Sequence, residues 1–258
     1  GAPMRSLCRS TESTRSGHSR LGLVVRASRP LVLFLLLGVL AGCNGGASSG
    51  GPYRRTGKVD PDDKIEAAKR ITSNLKEATR LVDDVYEDMT SGRRDRYLAT
   101  VPTLEKAEAL LVEARDLSRD SATPRIRLGE VRSTLGIIAM GDRDHWQGIV
   151  DDAEARGQKP PADAVAKRDA AQTKAVDWLE GANREYEFYL RYLASTQPIN
   201  SVYMKLSANY ELLRNYAAAE QMIRSYLERE SNIDREGRTA LERRARGLRQ
   251  RRLDELSD

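Results

Sequence analysis

Residues 200–233 read NSVYMKLSANYELLRNYAAAEQMIRSYLERESNI, and this stretch decides the fold. Tyr203, Leu206, Ser207 and Tyr210 recur at three- and four-residue steps, the period that gathers side chains on one face of a helix. Arg214-Asn215 interrupts the pattern, and Tyr216, Ala219 and Ile223 resume it. Two amphipathic helices joined by so short a turn lie side by side and antiparallel. Ser207 and Ala219 are small enough for the backbones to approach, while the tyrosines, Leu206 and Ile223 fill the groove between them.

The same period extends outward over most of the chain. Toward the N-terminus, Ile65, Ala68, Ile71, Leu75, Ala78, Leu81, Val82 and Val85 predict one helix from Asp62 to Met89, ended by Ser91-Gly92. A second helical region carries Tyr97, Leu98, Leu104, Ala107, Leu110, Leu111, Ala114 and Leu117, with a break or fresh start at Pro102. Thr123-Pro124 opens a helix with Ile126, Val131, Leu135 and Ile138 that should stop before Gly141. Trp146, Ile149 and Val150 mark a short helix ended near Gly157. Pro160-Pro161 then opens a long one with Val165, Val176, Leu179, Ala182, Tyr186, Tyr189 and Leu193. The chain continues with helices from Pro198 to Leu213 and from Tyr216 to Arg229, and a last one from Asp234. No segment alternates with the period of a strand. About eight helices with short connections predict an all-α, antiparallel helix-pair array.

Within that array the residues at Tyr203, Leu206, Ser207 and Tyr210, followed by Tyr216, Ala219 and Ile223, resemble a tetratricopeptide repeat. Two positions depart from the pattern, Tyr226 where the family prefers alanine and Ser231 where it prefers proline. A weaker match uses Leu135-Gly136, Gly148 and Pro160, with Asp152 where an apolar residue belongs; the helix from Leu104 to Leu117 resembles a second repeat helix without a partner. One repeat length before Tyr203 and Leu206 stand Asp169 and Gln172, so the period does not propagate cleanly. The resemblance implies a solenoid whose stacked pairs expose a concave protein-binding surface; the alternative is a helical bundle with an ordinary core of alanines and tyrosines.

At the other end, an apolar run from Leu31 to Val39 closes on Leu40-Ala41-Gly42-Cys43, preceded by Arg26 and Arg29. This is similar to a bacterial lipoprotein signal peptide with its lipobox. The resemblance implies peptidase recognition of Leu40, Ala41 and Gly42 and a covalent lipid on Cys43, with two or three acyl chains for stable anchoring. Asn44, by the family's sorting rule, directs the protein to the outer membrane, facing the periplasm. The domains expected are therefore a signal peptide with an anomalous N-terminal extension over 1–42, a lipidated cysteine and linker over 43–61, and a helical domain over 62–258. Similar architectures occur in the lipoprotein of the outer-membrane β-barrel assembly machinery and in pilotins.

Charge and inventory narrow the function. The chain has 43 Lys+Arg and 38 Asp+Glu, net +5. Arg5, Arg9, Arg15, Arg20, Arg26 and Arg29 stand against Glu12 alone in residues 1–42, so the remainder is neutral and nucleic acid is not an expected partner. Cys8 and Cys43 leave no thiol for a disulfide or a metal, and His145 is the one histidine beyond the signal region. No catalytic residue, metal site or cofactor other than the covalent lipid is expected, and the reading is of an envelope-protein scaffold, not an enzyme. The alternatives are a cell-wall enzyme or regulator, using converging acids such as Asp83-Asp84 and Asp151-Asp152, and a structural lipoprotein contacting peptidoglycan. Two candidate partner surfaces stand out: Tyr186, Phe188 and Tyr192 on the long helix, and Arg243, Arg244, Arg249 and Arg251 on the last.

Overall fold

Helix starts fall where proline and short polar side chains put them. The computed structural model describes residues 61–197 and 199–257. The lipobox, Cys43 and the linker up to residue 60 lie outside the described residues, and Pro61 already belongs to the first helix. The elements are α1 Pro61–Asp84, α2 Tyr86–Thr90, α3 Arg94–Ala99, α4 Val101–Leu117, α5 Ala122–Ala155, α6 Ala162–Tyr192, α7 Ser201–Leu212, α8 Tyr216–Arg229 and α9 Arg235–Glu255. The described residues contain no strand, and the protein is an all-α array.

Pro102 and Pro124 sit in the first turns of α4 and α5, where a missing N–H costs nothing. Asn215 caps α8 by accepting from the Ala218 amide, and Asp234 caps α9 by accepting from Gly237. The tight α7–α8 turn puts Arg214 at φ 59°, a left-handed conformation usually left to glycine.

The largest departure from expectation is α5. A helix stop was expected before Gly141 and a fresh start near Trp146, yet one 34-residue helix runs through Gly136, Gly141 and Gly148. Two of its glycines mark close approach. A Cβ on Gly129 would lie 2.5 Å from the Tyr186 ring, and one on Gly136 would lie 2.7 Å from Leu179, both on α6. Seven residues further along α5, Arg143 donates to Gln172, seven residues back along α6, at 2.9 Å. A repeat of seven on both arms, run in opposite directions, is the geometry of a two-helix antiparallel coiled coil. At 1.5 Å per residue the hairpin is about 50 Å long, and it forms the spine of the molecule.

This spine overturns the weaker repeat. Leu135, Gly136 and Gly148 stand on one uninterrupted helix and cannot supply the two members of a pair, and Gly148 faces open space. The pair at 200–233 is found where the sequence puts it. Tyr203, Leu206, Ser207, Ala219 and Ile223 are buried, Tyr210 and Tyr216 half-buried, and Ser207 Oγ donates to the Ala219 carbonyl at 3.0 Å across α7 and α8.

The two flanks of the spine carry separate cores. On one, Ala78, Leu81, Met89, Leu104 and Leu111 from α1, α2 and α4 pack on Leu128, Val131, Leu135 and Ile138 of α5. Arg70 with Glu113, and Asn74 with the Leu110 carbonyl, set α1 antiparallel to α4. On the other, Ile126, Ala182, Tyr186 and Tyr189 meet Val202 and Leu206 of α7. Beyond these, α9 closes the C-terminal end over α8 through Ala219, Ile223, Ala245 and Leu248.

Candidate functional site

The long-helix aromatics separate into core and surface. Tyr186 is wholly enclosed, its ring against Gly129, and is removed from the expected partner surface. The reason is phase: the α6 stripe that meets α5 runs through Leu179, Ala182 and Tyr186. Tyr189 is equally buried; its hydroxyl donates to the Gln197 carbonyl at 2.6 Å and accepts from the Ile199 amide at 2.5 Å, tying the α6–α7 connection shut. Burial pushes both phenols up from their ordinary value. Phe188 is half-buried with the Arg125 guanidinium 3.6 Å from its ring centre, and Tyr192, half exposed, leans on Phe188 at 4.7 Å. Only Tyr192 and one edge of Phe188 face solvent.

The arginines of α9 also divide. Arg244 and Arg251 both donate to Glu211 at 2.8 Å, and Arg249 donates to Glu220 at 2.7 Å beside Arg224. Burial pushes the Glu220 carboxyl up, but hydrogen bonds from Arg249 and Arg224 outweigh it and hold the carboxyl below its usual value. Three of the four expected surface arginines are therefore tied to glutamates of α7 and α8, Arg244 half-buried and Arg249 and Arg251 still over half exposed, while Arg243 is exposed.

Between α6 and α7 lies an open groove of about 430 Å³. Val176, Leu213 and the half-buried Tyr210 form its apolar walls, and the Asn183 amide its polar floor. Glu180 and Glu187 stand on the rim; the Tyr210 hydroxyl is hydrogen-bonded to Glu187, and burial together with that bond pushes the phenol up.

Beneath the groove is a polar core that sequence reasoning missed. Asn209, fully buried, donates to Asn183 Oδ1 and Ser133 Oγ, each at 2.9 Å, joining α7, α6 and α5. One turn away, buried Lys205 is paired with buried Glu130, which also accepts from Arg127. On the far side of the spine, Glu185 is held by Arg115 at 2.6 Å, Arg125 at 2.9 Å and Arg132 at 3.3 Å, linking α4, α5 and α6. One signal was present: Lys205 and Asn209 fall at helical steps from Val202 and Leu206, inside an apolar stripe where a polar residue needs a buried partner.

The acid pairs singled out for an enzyme do not converge. Asp83, Asp84, Asp151 and Asp152 are all exposed, the first two on α1 and the others on α5. His145 is exposed, its ring edge-on to Trp146 at 5.0 Å. Among the described residues no cluster of His, Cys, Asp or Glu has metal-binding geometry, and no helix is long and apolar enough to cross a membrane. No family model, curated protein or solved structure matches the chain.

Proposed function

We propose that the protein is a lipid-anchored envelope lipoprotein whose helical array is a binding scaffold for another envelope protein. The observation that carries the binding role is the open groove between α6 and α7, with apolar walls at Val176, Leu213 and Tyr210 and an amide floor at Asn183. That mixture suits a protein segment, with side chains between the walls and a backbone group on the amide. The buried acids, Glu130 and Glu185, are each clamped by two or more cations, which favours a structural role for them over proton transfer. The anchor rests on Leu40-Ala41-Gly42-Cys43 and its resemblance to a lipobox, and placement at the outer membrane rests on Asn44.

The test is crosslinking in the native membrane followed by pull-down, with Cys43→Ala and Val176→Glu as separate variants. The expected result is a stoichiometric envelope partner that Val176→Glu loses and a membrane association that Cys43→Ala loses. A partner indifferent to Val176→Glu overturns the groove, and Cys43→Ala protein that stays membrane-bound overturns the anchor.

A further inference from the structure

The α8–α9 seam is built unlike the others. From α9 only Ala245 and Leu248 are buried, with Leu241 half-buried. The face they cover is larger and more apolar, formed by Ala219 and Ile223 with Met204, Tyr210, Tyr216 and Leu227 around them. Packing there is incomplete, since an open groove of about 370 Å³ runs along the seam past Leu227, Arg224, Arg238 and Ala245. The remaining attachment is polar, an Arg238 bond to the Leu227 carbonyl and ion pairs of Arg244 and Arg251 with Glu211 and of Arg249 with Glu220; Arg244 is a quarter exposed and the other two ion-pairing arginines just over half. Partly exposed pairs of this kind are weakened by salt. The segment before the helix, residues 230–234, is a short connection with Glu230 and Asp234 in extended conformation.

We propose that the α7–α8 face under α9 is a docking site for a basic amphipathic helix, filled in cis by α9 and taken in trans by a partner helix of the same chemistry. Charge complementarity selects the occupant: Glu211 and Glu220 project from an apolar floor, and a helix bearing leucine or alanine at three- and four-residue steps, flanked by arginines, satisfies both. α9 has that pattern itself, with Leu241, Ala245 and Leu248 between Arg244, Arg249 and Arg251. Being tethered, it competes at an effective concentration on the order of millimolar, so a partner helix gains the site when it binds better or when the cis arginines are drawn away. This goes beyond the scaffold reading, does not involve the membrane, and shares only Tyr210 with the α6–α7 groove.

The experiment uses the full chain and a fluorescent synthetic peptide of residues 234–257 as the probe. Replacing Arg244, Arg249 and Arg251 by Gln weakens α9 in cis and leaves the receiving face intact. Expected is peptide binding at least about tenfold tighter to the triple variant than to the unaltered chain, weakened by salt and abolished by Leu248→Glu in the peptide. Equal binding to both chains, or none to a variant whose helix content is unchanged, overturns the proposal. Loss of amide protection in α5–α7 of the variant also overturns it, because α9 is then a strut of the fold. A variant that dimerises without peptide makes a second copy the occupant and overturns the partner assignment. Failure here leaves the lipid anchor and its groove to be judged by their own variants.

Discussion

The α5–α6 seam and the α8–α9 seam join helices in the same small protein by opposite means. In the first, two glycines seven residues apart admit Tyr186 and Leu179 so closely that a methyl group would collide with either. In the second, three arginines bond two glutamates beside a small apolar contact, and an open groove runs past Leu227, Arg238 and Ala245 in the same seam. The first seam rests chiefly on close packing, with its ion pairs at Glu185 buried; the second has a smaller apolar contact at Ala245 and Leu248 and leans more on partly exposed pairs, which salt and acid weaken. A helix fixed by shape is part of the scaffold, whereas one fixed mainly by partly solvated charge can exchange with a competitor.

The sharpest way to break this contrast is at the ionic core beside the spine. Glu130→Ala strands Lys205 without its buried partner, and the expected loss is about 3–5 kcal/mol of unfolding free energy by denaturant titration. Adding Lys205→Met should recover a large part of it, because the cost lies in the unpaired charge. If the single variant unfolds at the same denaturant concentration as the unaltered chain, α7 is not fixed by that pair.

Gly129→Ala tests the shape side. A Cβ would meet the Tyr186 ring at 2.5 Å, and overpacking of this kind costs about 1–3 kcal/mol, against about 1 kcal/mol of helix propensity gained. The same change at Gly148, which faces open space, should raise the melting temperature. Equal responses at the two sites would remove the distinction between a packed and a solvated glycine.

Acid tests the charge side. The folded Glu220 carboxyl titrates below its unfolded value, so its contribution is present above about pH 4.3 and is lost as pH falls through the folded value. Hydrogen exchange should show α9 amides losing protection in that window before those of α5 and α6, with Glu220→Gln reproducing the change at neutral pH. The smallest effect belongs to the α7–α8 turn: Arg214→Gly relieves a left-handed residue and should stabilise by about 1 kcal/mol, read as a rise in melting temperature.

Much of the fold was legible because its boundaries are local. Pro102, Pro124, Asn215 and Asp234 signal helix starts through their own backbone chemistry, and the helices they open begin there. Glycine has no such single meaning. Gly141 reads as a break and Gly136 as the small residue of a repeat, yet Gly141 lies inside α5 and Gly136 makes room for Leu179 of α6, and only the partner helix distinguishes the cases. Periodicity likewise places Tyr186 on a stripe without saying what the stripe meets. The ion pairs of the candidate arginines were hidden for a related reason. Their partners Glu211 and Glu220 lie 29 to 40 residues away along the chain, beyond the reach of a helical period.

The glycine spacing of the spine also restricts how its length can change in evolution. One residue inserted in either arm rotates everything beyond it by about 100°, which moves a side chain into the slot that Gly129 or Gly136 keeps empty. Deletions do the same in reverse. Length variants of this chain should therefore place single-residue insertions and deletions in the connections or beyond Arg143 and Gln172, and alter the arms between them by seven residues on both sides together.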